Sequence, residues 1–224
     1  MKVAALISGG KDSALALHQA LKRGYNVKYL VTLIPQREDS WMFHYPNVEL
    51  TDLFAEACGI PLVKAETSGV KEEELEDLRS LLDKLDIEGV VSGAIASTYQ
   101  KSRIDSICVE LGLKSITPLW HKNEKTLIET LISEGFSVIF TGVYAYGLDE
   151  KWLGRKLDQR ALRDLIMLSK RYGISLMGEG GEYETLVLDA PYFRKRIKIL
   201  RARTIWKGES GYLLVEDACL EDKG

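Results

Sequence analysis

Short apolar runs alternate with amphipathic stretches along the first two thirds of the chain. Residues 3–7 (VAALI) read as a strand buried on both faces. Residues 13–23 then repeat apolar positions at helical spacing and stop at Gly24, which suits the position just past a helix end. The same rhythm gives a strand over 26–34, a helix over 50–58 closed by Gly59, and a short strand over 61–65. Leu75, Leu78, Leu82 and Leu85 mark one face of a helix over 71–86. Residues 89–93 form a fourth strand with its turn, 102–111 and 126–133 two helices, and 138–142 a further strand. Such alternation with short connections predicts an α/β fold, a doubly wound parallel sheet with helices on both faces.

Beyond residue 142 the pattern changes. An amphipathic helix over 157–171 carries Leu162, Leu165 and Ile166 on one side, and strand-like runs follow at 185–188, 196–206 and 212–215. The short loop between the last two makes them an antiparallel hairpin. The expected organisation is an α/β domain over 1–142 with a smaller C-terminal α+β domain over 143–224 packed against it.

The chemistry concentrates first at Ser8-Gly9-Gly10-Lys11-Asp12-Ser13, between the first strand and the first helix. A glycine-rich turn at a helix N-terminus directs backbone N–H groups and the positive end of the helix dipole at one place, an anion site. Lys11 adds a point charge, and Ser8 and Ser13 add hydroxyls. The Walker A pattern needs a glycine where Ala5 stands, and the dinucleotide fingerprint needs one where Asp12 and Ser13 stand. What fits is the S-G-G-x-D-S pyrophosphate loop of ATP pyrophosphatases, which this stretch resembles. Ser92-Gly93-Ala94 also leaves the carboxyl end of a strand. In doubly wound sheets ligands sit there, where strand order reverses, so the two turns are expected to share one crevice.

Composition narrows the field. With 224 residues, 46% apolar and 28% charged, the chain has the balance of a globular protein. No apolar run approaches the ~20 residues of a membrane span, and Met1-Lys2 runs straight into the first strand, so a cytoplasmic location and no membrane partner are expected. The three cysteines are scattered without a C-x-x-C pair, which argues against a disulfide framework, a zinc cluster or a cysteine relay for sulfur transfer. A net charge of −3 gives no basic field, so nucleic acid is not an expected partner.

Three other segments have two readings each. Glu179, Glu182 and Glu184 stand among Gly178, Gly180 and Gly181 just before an apolar strand, with Tyr183 between them. This is either a solvated turn or a set of carboxylates kept for a cation or a proton transfer. Ser97, Tyr99, Gln100, Lys101 and Arg103 follow the Gly93 turn, either as an ordinary helix start or with Arg103 poised to grip a carboxylate or phosphate. The aromatic stretch 39–46, with Trp41, Phe43, His44 and Tyr45, reads equally as a lid or as packing.

Taken together, Ser8–Ser13, Ser92–Ile95 with Ser97, Tyr99-Gln100 and Arg103, Pro118-Leu119-Trp120, Gly147-Leu148-Asp149 and Glu179–Thr185 resemble the diphthine–ammonia ligase family. Lys101 departs from the arginine frequent beside that Tyr-Gln pair. The resemblance implies an adenine-nucleotide α-hydrolase-like fold and ATP-dependent amidation of diphthine, a modified histidine of elongation factor two, by ammonia. Its carboxylate would pass through an acyl-adenylate, releasing pyrophosphate and then AMP. ATP and Mg2+ are the implied cofactors, with Asp12 the candidate metal ligand. Ser8, Gly9, Gly10, Lys11, Asp12, Ser13, Thr32, Gly93 and Ala94 would hold the nucleotide. Ser97, Tyr99, Gln100, Arg103 and residues Glu179, Gly180, Gly181, Glu182, Tyr183 and Glu184 would meet the substrate. Lys11, Asp12, Glu182 and Glu184 are the catalytic candidates, with Tyr183 beside the substrate's trimethylammonium group. Elongation factor two and ammonium are the implied partners, and a homo-oligomer is compatible with the reading. The alternatives are an ATP-dependent tRNA base-modifying enzyme and a non-catalytic adenine-nucleotide-binding module.

Overall fold

A computed structural model describes residues 1–35, 47, 50–67 and 71–224; the aromatic stretch 39–46 lies outside them. The chain divides into two compact units, Met1–Trp120 and His121–Gly224.

The first unit runs β1 (Lys2–Leu6), α1 (Lys11–Lys22), β2 (Asn26–Pro35), α2 (Thr51–Cys58), β3 (Leu62–Thr67), α3 (Lys71–Leu82), β4 (Gly89–Val91), α4 (Thr98–Glu110) and β5 (Lys114–Ile116). Its five strands are parallel in the order β3-β2-β1-β4-β5. The chain builds outward from β1 to β3 and then crosses back to β4, so the order reverses between β1 and β4. Ala4, Leu6, Val31, Leu33 and Val90 bury one face of the sheet under Leu78 and Leu82 of α3 and Ile104, Ile107 and Cys108 of α4. α1 packs on β1, β2 and β4. The doubly wound sheet expected from the alternation of patterns is therefore present, with β5 an addition that three residues between Leu113 and Thr117 did not announce.

The second unit runs α5 (Glu124–Ser133), β6 (Ser137–Val143), α6 (Gln159–Tyr172), β7 (Tyr183–Asp189), β8 (Lys195–Trp206) and β9 (Gly211–Asp222), with a short 3-10 turn at Glu150–Trp152. Its sheet is ordered β7-β6-β9-β8, with antiparallel pairings. The boundary thus lies at Trp120/His121, where the sequence pattern put it at 142/143. The strand expected over 138–142 does not extend the parallel sheet. As β6 it pairs antiparallel with β7 and, at Gly142 and Val143, with β9. Six of its seven residues are buried, and that continuous apolar run is also the signature of a parallel strand covered on both faces. Phe140 anchors this unit, fully buried and edge-to-face with both Trp152 and Tyr183 at centroid distances of 5.0 Å.

Candidate active site

Strand β1 ends at Leu6, and α1 starts at Lys11 with Gly10 as N-cap and no side-chain cap, the arrangement in which an anion can close the helix. The loop between them is braced from within. Ser8 N–H donates to Ser13 Oγ at 3.3 Å, Gly10 N–H to Ser8 Oγ at 3.4 Å, and Ser13 Oγ donates to Gly10 O at 3.1 Å. The two hydroxyls expected to face the ligand thus shape the loop. Lys11 is only 2% exposed, with its Nζ 3.1 Å from Asp12 Oδ2. A buried ammonium is costly without negative partners, and its place in the first turn of α1 beside the loop suits it to a phosphate.

The Gly93 turn shares this place. A Cβ on Gly93 would lie 2.8 Å from Asp12 C and from Ser13 N, so the turn after β4 touches the main chain of the first turn of α1. Both turns stand at the carboxyl side of adjacent strands, at the point where strand order reverses. Ala94 beside it is buried. Thr32 lies one step beyond Val31, which is registered with Leu6, and is therefore level with the start of the loop. Its Oγ1 is buried and makes no hydrogen bond among the described residues, and the same holds for Ser92 Oγ and Thr67 Oγ1. Thr67 was not identified from the sequence, because a threonine closing a strand carries no signal of its own.

At the start of α4, Ser97 is an N-cap, its Oγ accepting from Gln100 N–H at 3.3 Å. The Arg103 guanidinium stacks on the Tyr99 ring with Cζ 3.6 Å from the centroid, and its Nε is buried without a hydrogen-bond partner among the described residues. Lys101 is engaged elsewhere: it pairs with Asp105 and sits 5.4 Å from the Trp120 centroid. Burial opposes ionisation of Asp105, but the hydrogen bond and charge of Lys101 hold its carboxyl below the usual range. Lys101→Ala is expected to cost about 0.5–1 kcal/mol of stability at neutral pH without altering nucleotide affinity. Because the folded-state pKa is depressed, the Asp105 contribution is present above the ordinary aspartate range. It disappears as pH falls through the lowered value, which denaturant titrations at several pH values would follow.

In the second unit the acidic motif separates into different roles. The Glu182 carboxylate accepts from Ser175 N–H at 2.9 Å through Oε1 and from Gly180 N–H at 2.8 Å through Oε2. Glu124, in the first turn of α5, holds the same loop through Leu176 N–H at 2.7 Å and Ser175 Oγ at 3.1 Å. Ser175 Oγ in turn accepts from the N–H groups of Met177 and Glu179, both at 3.2 Å. Tyr183 turns inward. It is 3% exposed, its hydroxyl donates to Leu176 O, and its ring packs on Phe140. A ring buried in this way cannot sit beside a substrate cation, which corrects the sequence expectation for that residue. Glu184, of opposite parity in β7, stays half-buried, and its charge helps push the Tyr144 phenol up. Among the described residues no three His, Cys, Asp or Glu side chains form a metal-holding group, and no helix is long and apolar enough to cross a membrane.

Residues 1–115 match the family described as diphthamide synthase N-terminal domain, and residues 123–220 match the diphthamide synthase C-terminal domain. A Homo sapiens protein named diphthine–ammonia ligase is 36% identical over 251 residues, covering 100% of this chain and 94% of that one. The Bos taurus protein of the same name gives the same identity and coverage. The chain belongs to the diphthine–ammonia ligase family. A Schizosaccharomyces pombe protein also named diphthine–ammonia ligase is 37% identical over 245 residues, and the chain spans 40% of its length. Glu124, Ser175 and Tyr144, which hold the acidic segment of this diphthine–ammonia ligase family member, were not singled out from the sequence. Glu124 reaches Ser175 across 51 positions, and the Tyr144 partner is 40 residues away in β7, distances over which no local pattern speaks.

Proposed function

We propose that this chain uses ATP to activate the carboxylate of a diphthine residue on elongation factor two and converts it to the amide with ammonia. The observation that carries the reading is the braced Ser8–Ser13 loop touching Gly93 at the sheet's switch point, in a chain whose relatives bear the name diphthine–ammonia ligase. A carboxylate is a poor electrophile for ammonia, so activation must come first. A carboxylate oxygen attacks the α-phosphorus, the α–β bridging bond breaks, and pyrophosphate leaves with an acyl-adenylate remaining. Ammonia then attacks the acyl carbon, the carbon–oxygen bond to AMP breaks, and the nitrogen gives up a proton.

The residues divide along these steps. The loop and the N-terminus of α1 receive the pyrophosphate, and Lys11 offsets the charge that builds on it. Thr32, Thr67 and Ser92 carry buried hydroxyls without partners among the described residues, as expected where a nucleotide completes the hydrogen bonding. Arg103, held by Tyr99, suits a carboxylate or phosphate oxygen. Glu184 is assigned to the cationic acceptor side chain. The single carboxylate of Asp12 fits Mg2+, which is usually held by one or two carboxylates together with substrate phosphates. Bound there, the ion would neutralise phosphate charge.

Lys11→Met, which keeps most of the buried volume, is expected to weaken ATP binding by about 10- to 100-fold, the worth of one charged hydrogen bond. The decisive measurement is ATP-dependent release of AMP and pyrophosphate with diphthine-bearing elongation factor two and ammonium. Release that does not respond to that protein would sink the ligase reading, and nucleotide binding without turnover would favour the non-catalytic module.

A further inference from the structure

Gly142 of β6 is paired with Glu184 of β7 on one side and Tyr212 of β9 on the other. A Cβ on Gly142 would lie 2.6 Å from Tyr144 Oη and 2.9 Å from two carbons of its ring. The Tyr144 side chain therefore folds back across the glycine, and any larger residue there would displace it. Directly paired residues on adjacent strands direct their side chains to the same face, so Glu184 and Tyr212 flank the ring that lies over Gly142. The Glu184 carboxylate lies within electrostatic reach of the Tyr144 phenol, and Tyr144 N–H donates to Glu182 O at 2.9 Å. Burial, and then the charge of Glu184, push the Tyr144 phenol above the ordinary tyrosine range, so it remains a donor at neutral pH. Tyr144 nevertheless keeps 42% of its surface exposed, and Glu184 and Tyr212 are half-buried.

We propose that Glu184, Tyr144 and Tyr212, gathered over Gly142, form a seat for a quaternary ammonium group. The inference rests on the proposed reaction for the source of that cation, the trimethylammonium of the diphthine side chain. The chemistry of the three groups is what selects the class. A carboxylate supplies full negative charge, and two phenol rings supply the negative faces that attract a diffuse cation. A quaternary ammonium has no N–H and needs no directed acceptor, so nearness to a carboxylate and to ring faces suffices. A guanidinium or primary ammonium gains most where directed acceptors meet its N–H groups. The seat also reassigns the aromatic contact from Tyr183, which is buried, to Tyr144 and Tyr212.

Tetramethylammonium chloride, compared with sodium chloride at equal ionic strength, tests the seat on the full chain. Its binding is read from the broadening of its proton resonance and from inhibition of AMP release with diphthine-bearing elongation factor two. Inhibition is expected to compete with the acceptor protein and not with ATP. Glu184→Gln and Tyr144→Ala are each expected to weaken binding by about fivefold or more, and Tyr144→Phe, which keeps the ring, by less than Tyr144→Ala. Melting curves identify any variant that has lost its fold, and the near-isosteric Glu184→Gln and Tyr144→Phe keep the test open if Tyr144→Ala does. Binding unchanged in Glu184→Gln and Tyr144→Phe, or inhibition competitive with ATP, overturns the seat. Acceptor-dependent AMP release together with Glu184-independent binding overturns the seat and leaves the reaction standing. Glu184-dependent binding with no AMP release supports the seat and overturns the reaction.

Discussion

Replacing Gly93 with alanine is expected to lower acceptor-dependent AMP formation by about a hundredfold while the protein remains folded. The added Cβ would lie 2.8 Å from Asp12 C and from Ser13 N. Both are backbone atoms in the first turn of α1, and neither can swing aside as a side-chain end would. Relief must come from movement of the turn after β4 or of the loop itself. Overpacking of this kind costs about 1–3 kcal/mol of stability. The effect on chemistry is larger, because a shift near 1 Å in a positioning element can cost about 10²-fold in rate. Gly24→Ala is the matched control. At φ 75° with nothing within 4 Å of the new Cβ, it is strained only in its backbone. It should lose about 1–2 kcal/mol of stability and keep its activity at temperatures below unfolding. Parallel melting curves and AMP assays on the two variants separate the effects, and equal activities in both would remove Gly93 from the site.

The candidate functional segments that were legible in the sequence are those built by contiguous residues. A strand, a Gly-Gly turn and a helix start lie within residues 2–22, and local rules suffice to call that unit an anion cradle. The approach of Gly93 to Asp12 was legible too, because the reversal of strand order fixes which carboxyl ends are neighbours. What stayed hidden depends on side-chain direction and on distant pairing. In Glu182-Tyr183-Glu184 the sequence offers three polar groups in a row, but strand parity sends Tyr183 inward to Phe140 and leaves Glu184 at the half-buried surface. Nothing in the residue order distinguishes the glutamate that clasps backbone from the one that meets Tyr144. The sheet to which β6 belongs was likewise undetermined, since a continuously apolar strand reads the same in both settings.

The separation of the two glutamates makes opposite expectations for one substitution. In Glu182→Gln the side chain keeps a single acceptor oxygen, while Ser175 N–H and Gly180 N–H both use one. One of the two must then face the amide NH2. Gly180 is exposed, so water can serve its N–H, whereas the half-buried Ser175 N–H needs the oxygen. The expected loss is about 0.5–1.5 kcal/mol, and the melting temperature should fall by a few degrees. The activity that survives should be that of the fraction still holding the loop. Glu184→Gln is near-isosteric at a half-buried position, and the amide oxygen still offers an acceptor. Stability should change by less than about 1 kcal/mol, as for a near-isosteric change outside the core. The negative charge, however, is gone. If Glu184 meets a cationic acceptor, acceptor-dependent AMP release should fall by about 10²-fold, and ATP binding to the Ser8–Ser13 loop should be unaffected. Melting curves, nucleotide titration and AMP release on the two variants give six readings with opposite signatures. A Glu184→Gln protein that melts early and turns over normally would assign Glu184 to structure, and would move the acceptor-facing charge to another residue.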